Sequence, residues 1–508
     1  MKKLLQRITV FALSAISLFG MVACGGGNGS NDPMTIDVYY WNSGNGAEYI
    51  EQILAEFKKE NPEITIDIVK SESPGGDNIR YDAKNDMTDI YFTSMSDHMA
   101  YKEVFAPLND VLDMEMDGVK VSSRIDANTI NTLTNSDGNI YSLPWSNSVT
   151  GLVYNATIFE EKNFKIPRTT NELIDLCAQI QNAYPGEKDP KPFIHYPSYW
   201  DFGMFSWMAQ YAGVDNFTKY WKGIYTDENG VEKVNDISLF KDNVAAQKAL
   251  KVLFDLLSPK GYTVTGTNSL GHTISQTNFL SRKSVLIPNG SWMENEMKNS
   301  TTSDKFAIMK FPVISALGEK LGLGDEELAA LVAYIDGTAS QEETDYAESV
   351  DSEILARVSE ARNVVCSQRL NFNIFIPANS PAKEAAKKLI AFYYSDKALE
   401  IAETVSGMMI PVNYSDGSNR KHPDNDTDFL KTCTKLINQN SKIIEATYTV
   451  PLIYNNGIEN FWYYNPVEKF TYNNNTKGPA LTYDKFLEDD ASYWTKNWNN
   501  KLTNAGLI

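Results

Sequence analysis

Aromatic residues beside small polar ones mark four short segments of the chain. Trp41 is followed by Asn42, Ser43 and Gly44, and Trp145 by Ser146, Asn147 and Ser148. Trp292 closes the run Asn289-Gly290-Ser291, and Tyr196, Pro197, Ser198, Tyr199, Trp200 and Asp201 form a dense cluster. This mixture suits a ligand with an apolar face and a rim of hydroxyls. A flat ring covers the polarised C–H groups on one face of a pyranose, while Asn, Ser, Asp and backbone groups meet the hydroxyls at fixed geometry. A lone tryptophan is more often a packing residue, so the recurrence at turns carries the reading. Trp207 is read differently. It lies in a helical run with Phe202, Phe205, Met208 and Tyr211 and is assigned to the core.

Motifs for covalent or nucleotide chemistry are missing from the sequence. It has no GxSxG elbow, no GxxxxGK loop and no GxGxxG opening a helix. His98, His195, His272 and His422 show no HExxH spacing, and Cys24, Cys177, Cys366 and Cys433 form no CxxC pair. No metal, cofactor or catalytic residue is therefore expected. With Cys24 set aside an odd number of cysteines remains, which reads as small buried hydrophobes rather than a disulfide framework. Lys plus Arg number 46 and Asp plus Glu 65, a net charge of −19 that argues against nucleic-acid partners. Among so many carboxylates, pairs arise anywhere, so they give no support to glycosidase chemistry.

The N-terminus carries an export signal. Lys2, Lys3 and Arg7 precede an apolar run over residues 8–22, shorter than the roughly 20 residues a spanning helix needs. Residues 1–23 thus read as a secretory signal. Met21-Val22-Ala23-Cys24 resembles the lipobox of bacterial lipoproteins, with Met21 in place of the usual Leu. The resemblance implies cleavage before Cys24, diacylglycerol on its sulfur, and a protein held on the outer face of the cell membrane. Two acyl chains anchor stably where one does not. Residues 24–34, rich in Gly, Asn and Ser, form a flexible tether, and no second long apolar run follows.

The elements that would position the aromatic segments alternate in period. Residues 35–41 read as a strand, 47–60 as an amphipathic helix stopped by Asn61-Pro62, and 64–69 as a second strand, which together make one βαβ unit. Further strands are expected at 89–93, 140–145, 151–155, 284–288 and 372–377, and helices at 171–183, 202–212, 244–257 and 382–394. The class is α/β, and 508 residues call for two to four structural units at roughly 100–200 residues each. The stretch 323–362 is acidic and helix-forming and reads as a solvated surface elaboration.

In order, these segments resemble the extracellular solute-binding proteins of family 1, the sugar-capturing lipoproteins of ABC importers related to maltose-binding protein. The resemblance is carried by FKKENP at 57–62, DIYFT at 89–93, YSLPWSNSVTGLVYN at 141–155, NGSWMENE at 289–296, FIPANSPAKEAAKKLIAFYYSDKAL at 375–399 and GMMIPV at 407–412. It implies a two-lobed periplasmic-binding-protein-like fold of type II, with lobes joined by crossing strands. One lobe would hold 35–149 and 315–404, the other 150–314 and 405–508. It also implies a carbohydrate ligand, an oligosaccharide, closed over by the lobes and delivered by a monomer to the importer's membrane subunits. By position it assigns Trp41, Asn42 and Ser43 to one ligand-side turn and Ser96 and Asp97, with Met95, to a second. Trp145 and Ser148 would flank the crossing, Tyr196, Tyr199, Trp200 and Asp201 would line the second lobe, and Trp292 would stack on the sugar. Two other readings stand beside this one: a surface glycosidase, and a receptor for a peptide or polyamine.

Overall fold

A computed structural model describes residues 32–42, 44–71, 88–94, 104–135, 137–222, 224–226, 232–234, 241–367, 372–437, 440–445 and 462–504. Cys24, Ser43, Met95, Ser96 and Asp97 lie outside them.

The alternation in the first strand, Thr35–Trp41, turns Ile36, Val38 and Tyr40 into a core. The helix Glu48–Glu60 answers with Tyr49, Ile50, Ile53, Leu54 and Phe57 at helical spacing. Thr35–Trp41 pairs in parallel with Thr65–Ser71 on one side and Ile90–Ser94 on the other. Phe372–Phe375 then adds antiparallel to Ile90–Ser94, and Leu143–Pro144 closes the five-stranded sheet. The helices Lys383–Tyr393 and Asp396–Ser406 bury Leu389, Ile390, Phe392 and Ala402 in the same core.

A second sheet runs in the order Phe306–Met309, Thr150–Asn155, Ser284–Gly290, Lys191–Phe193. Its central strand Ser284–Gly290 is buried along its whole length, antiparallel to Thr150–Asn155 and parallel to Lys191–Phe193. The helix Trp200–Ala212 is buried nearly all round, as an interior helix should be, and packs against Val244–Leu257. The C-terminal helix Tyr483–Asn504 adds Phe486, Trp494 and Trp498 to this core.

The chain crosses between the two cores at three places, and the crossings lie side by side. Asn147 N–H donates to Met409 O at 2.7 Å, and Ser367 Oγ donates to Asn147 Oδ1 at 3.2 Å. Thr150 Oγ1 donates to Cys366 O at 2.9 Å. The segments 141–155, 364–367 and 407–412 therefore meet at one residue, Asn147.

The division of the chain differs from the expected one at both later boundaries. Residues 315–367 belong to the second core. The helices Ser315–Leu321, Asp325–Ile335 and Ser352–Arg362 bury Leu317, Leu328, Leu331, Val332, Val358 and Ala361 with Trp207 and Phe311. Polar contacts pin them further: Arg168 to Glu343 at 2.6 Å, Arg362 to Asp336 at 2.7 Å, and Val214 N–H to Glu360 at 3.0 Å. The acidic stretch is thus a load of core side chains under a charged surface, not a solvated elaboration. In the other direction, Met408, Ile410, Val412 and Tyr414 pack into the first core, so the lobe that begins the chain extends past 404. Cys177, Cys366 and Cys433 are buried, and no disulfide joins any two of them.

Candidate functional site

The strand Ser284–Gly290 ends where Asn289 Oδ1 accepts from Gly290 N–H at 2.8 Å and the chain turns into Ser291 and Trp292. The Trp292 ring folds back over Gly290 so closely that a Cβ there would lie 2.1 Å from it. The ring meets Tyr199 edge-on at 5.7 Å and Phe202 at 6.0 Å. Tyr199 in turn contacts Tyr196 at 5.2 Å, and Tyr196 contacts His272 at 6.1 Å. Two of the expected segments therefore converge. Trp292 retains 8% of its surface, while Tyr196, Tyr199 and Asp201 are partly exposed.

The first-lobe turn reaches this cluster. Asn295 Nδ2 donates to Gly44 O. A Cβ on Gly44 would stand 2.8 Å from Glu296 Oε1 and 3.0 Å from Trp292 Cβ. Asn45 Nδ2 also donates to Ser146 Oγ at 3.1 Å, which ties the turn to the first crossing. Trp41, just before this turn, is half-buried and stacks on Phe372 at 5.6 Å with the rings 10° apart. Asn42 N–H donates to Ser71 O at 2.7 Å.

Three assigned residues are buried. Trp145 is fully buried in the first core between Tyr40, Phe92 and Phe372, its Nε1 donating to Thr93 O at 2.8 Å. Trp200 is fully buried in the second core against Phe193, His195 and Trp207. Ser148 is buried in the crossing segment between Asn147 and Val149. The two tryptophans are framework, as Trp207 is, since each ring is spent on core contacts.

Glu296, Asn295, Gln276 and His272 complete the site and were not singled out from the sequence. Gln276 Nε2 donates to Glu296 Oε2 at 2.7 Å. Burial raises the Glu296 carboxyl above its usual range, partly offset by Gln276 and by the charge of His272. Burial also pushes Asp201 up to about 7 and the Tyr199 hydroxyl well above its usual value. The short helix Met293–Glu296 is two-faced. Asn295 and Glu296 turn to Gly44, while Met293, Glu294 and Met297 line a separate cavity of about 300 Å³ with Leu280, Phe306 and Phe429. Among the described residues no group of three His, Cys, Asp or Glu side chains is placed to hold a metal ion, and no helix is long and apolar enough to cross a membrane.

Residues 52–416 match the family model described as bacterial extracellular solute-binding protein, nearly three quarters of the chain. The chain belongs to that family. It is 25% identical over 191 residues to the diacetylchitobiose binding protein NgcE of Streptomyces coelicolor, covering 36% of this chain and 35% of that protein. It is 24% identical over 189 residues to the multiple sugar-binding protein of Streptococcus mutans, covering 36% of this chain and 40% of that one. The matched region thus spans little more than a third of these relatives. Among solved structures, the GacH receptor of Streptomyces glaucescens, studied unliganded and with acarbose, superposes with a TM-score of 0.57 at 15% identity, covering 91% of this chain and 98% of that one. The solute-binding protein's fold is therefore the two-lobed periplasmic-binding-protein-like fold of type II, with the aromatic cluster of one lobe facing the turn of the other.

Proposed function

We propose that this solute-binding protein captures a carbohydrate, an oligosaccharide, outside the cell and hands it to an ABC importer, held to the membrane through lipid on Cys24. One observation carries the reading. The Trp292, Tyr199 and Tyr196 rings share one site with Glu296 and with Gly44 of the opposite lobe. Aromatic faces and hydrogen-bonding groups on both sides of a cleft are what a sugar needs, and a ligand that touches both lobes favours their closure. The named relatives bind diacetylchitobiose and multiple sugars, which supports the same ligand class. A thermal-shift screen of the chain against a glycan panel tests the proposal: at least one saccharide raises the melting temperature, and a panel without effect overturns it.

The rival reading, hydrolysis, draws on the Asp201 carboxyl near 7 beside an aromatic cluster. We propose binding without turnover. A saccharide incubated with stoichiometric protein is recovered intact, and shorter products by mass spectrometry would move the chain to the enzymes.

A further inference from the structure

Two acceptor atoms are left open in the site. Glu296 Oε2 is held by Gln276, but Oε1 faces Gly44 without a hydrogen bond among the described residues. Gln276 is fully buried, and its Oε1 also lacks a partner. Donors stand beside them: Asn289 Nδ2, buried and unpartnered, and the hydroxyls of Tyr196 and Tyr199. The Lys298 ammonium and the His272 ring stand exposed at the rim. A carboxylate accepts two hydroxyl donors in short, charge-assisted bonds. The same carboxylate repels an anion a few ångströms away, most strongly where water is excluded. The net charge of −19 adds long-range repulsion of acidic ligands.

We infer that Glu296 is a ligand-facing residue that sets the charge class of the sugar. Its carboxylate, steadied by Gln276, receives hydroxyls of an uncharged saccharide and turns away uronate-bearing and other acidic ones. This inference rests on the sugar-binding reading above.

The test is calorimetry on the full-length chain at neutral pH with length-matched pairs, galacto-oligosaccharides against oligogalacturonates and xylo-oligosaccharides against glucuronoxylo-oligosaccharides. The neutral member binds at least tenfold tighter. Glu296→Gln, nearly the same shape, weakens the neutral ligand at least tenfold and narrows the gap between the pair. Acidic sugars that bind as well as neutral ones, or a gap unchanged in folded Glu296→Gln, overturn the assignment of Glu296 while leaving sugar binding standing. If no saccharide binds, the sugar reading falls and this inference with it. Should Glu296→Gln fail to fold, Gln276→Met frees the carboxylate instead and is expected to weaken the neutral ligand at least threefold; unchanged affinity there overturns the role.

Discussion

Asn295 of one lobe donates a hydrogen bond to the backbone carbonyl of Gly44 in the other. The contact is possible because Gly44 has no side chain: a Cβ would sit 2.8 Å from Glu296 Oε1 and 2.9 Å from its Cγ. Any larger residue has to push the short helix Met293–Glu296 away. Gly44→Val should leave each core intact, since the added carbons meet only cleft atoms. It should weaken ligand binding by about 1–2 kcal/mol, or roughly five- to thirtyfold, through hindered closure. Calorimetry with the best-binding sugar checks this, and unchanged affinity would mean that the two segments need not approach for binding.

The tryptophans separate into two kinds of variant. Trp200→Ala empties a fully buried position between Phe193 and Trp207 and should cost about 3–5 kcal/mol of stability, the usual range for an aromatic deleted from a core. Trp292→Ala removes a ring that packs on Phe202 and also borders the cleft. It should cost less stability, about 2–3 kcal/mol, and should weaken the ligand by about 1–3 kcal/mol. Trp292→Phe should recover most of the stability. Urea titration with calorimetry separates the effects. Trp292→Ala that binds like wild type would place the ligand elsewhere.

How far the site could be read before folding is clear from these rings. Trp200, Met204 and Trp207 recur at helical spacing, so assigning Trp207 to the core already implied the same for Trp200. The local turn beside Trp200 hid that periodicity. Trp145 has no such signal: its burial comes from the pairing of Leu143–Pro144 with Phe372–Phe375, residues more than 200 positions away. Glu296 was hidden by number, one of 65 acidic residues, although it lies one helical turn from Trp292 and so on its face. The lobe boundary at 315 was lost for a similar reason. The acidic surface of 323–362 masks Leu328, Leu331, Val332 and Val358, which join the second core, and the helix Ser352–Arg362 packs on Trp200–Ala212, far away in sequence.

Lipid attachment makes a sharp prediction because it rests on one atom. With the Cys24 sulfur removed in Cys24→Ala, neither acyl transfer nor the cleavage that follows it can proceed. The protein should accumulate unprocessed or appear in the medium. A mature-sized band that still partitions into membranes and takes up labelled fatty acid would show that Cys24 is not the anchor.

Burial lifts the Asp201 carboxyl from 3.8 to about 7. Below about pH 4 the group is protonated in the folded and unfolded chain alike. Between there and pH 7 the unfolded chain loses this proton while the folded one keeps it, so the folded state binds more protons and its stability falls as pH rises. The stability from this group is fully present below the unfolded value and lost through pH 7. The shift corresponds to about 4 kcal/mol at face value, and partial exposure of the side chain reduces this to on the order of 1–2 kcal/mol. His195 acts in the opposite sense. Burial lowers it from 6.5 to about 4, so the unfolded chain takes up its proton first and stability rises with pH over that window. The two slopes mask each other in the wild-type curve but not in a comparison. Asp201→Asn keeps His195 and removes only the carboxyl, so its stability relative to wild type should climb steadily from pH 4 to 7 and level off above. Chemical denaturation of both proteins at half-unit pH steps measures this difference. A difference that stays flat across the window would mean that Asp201 titrates like a solvated carboxylate.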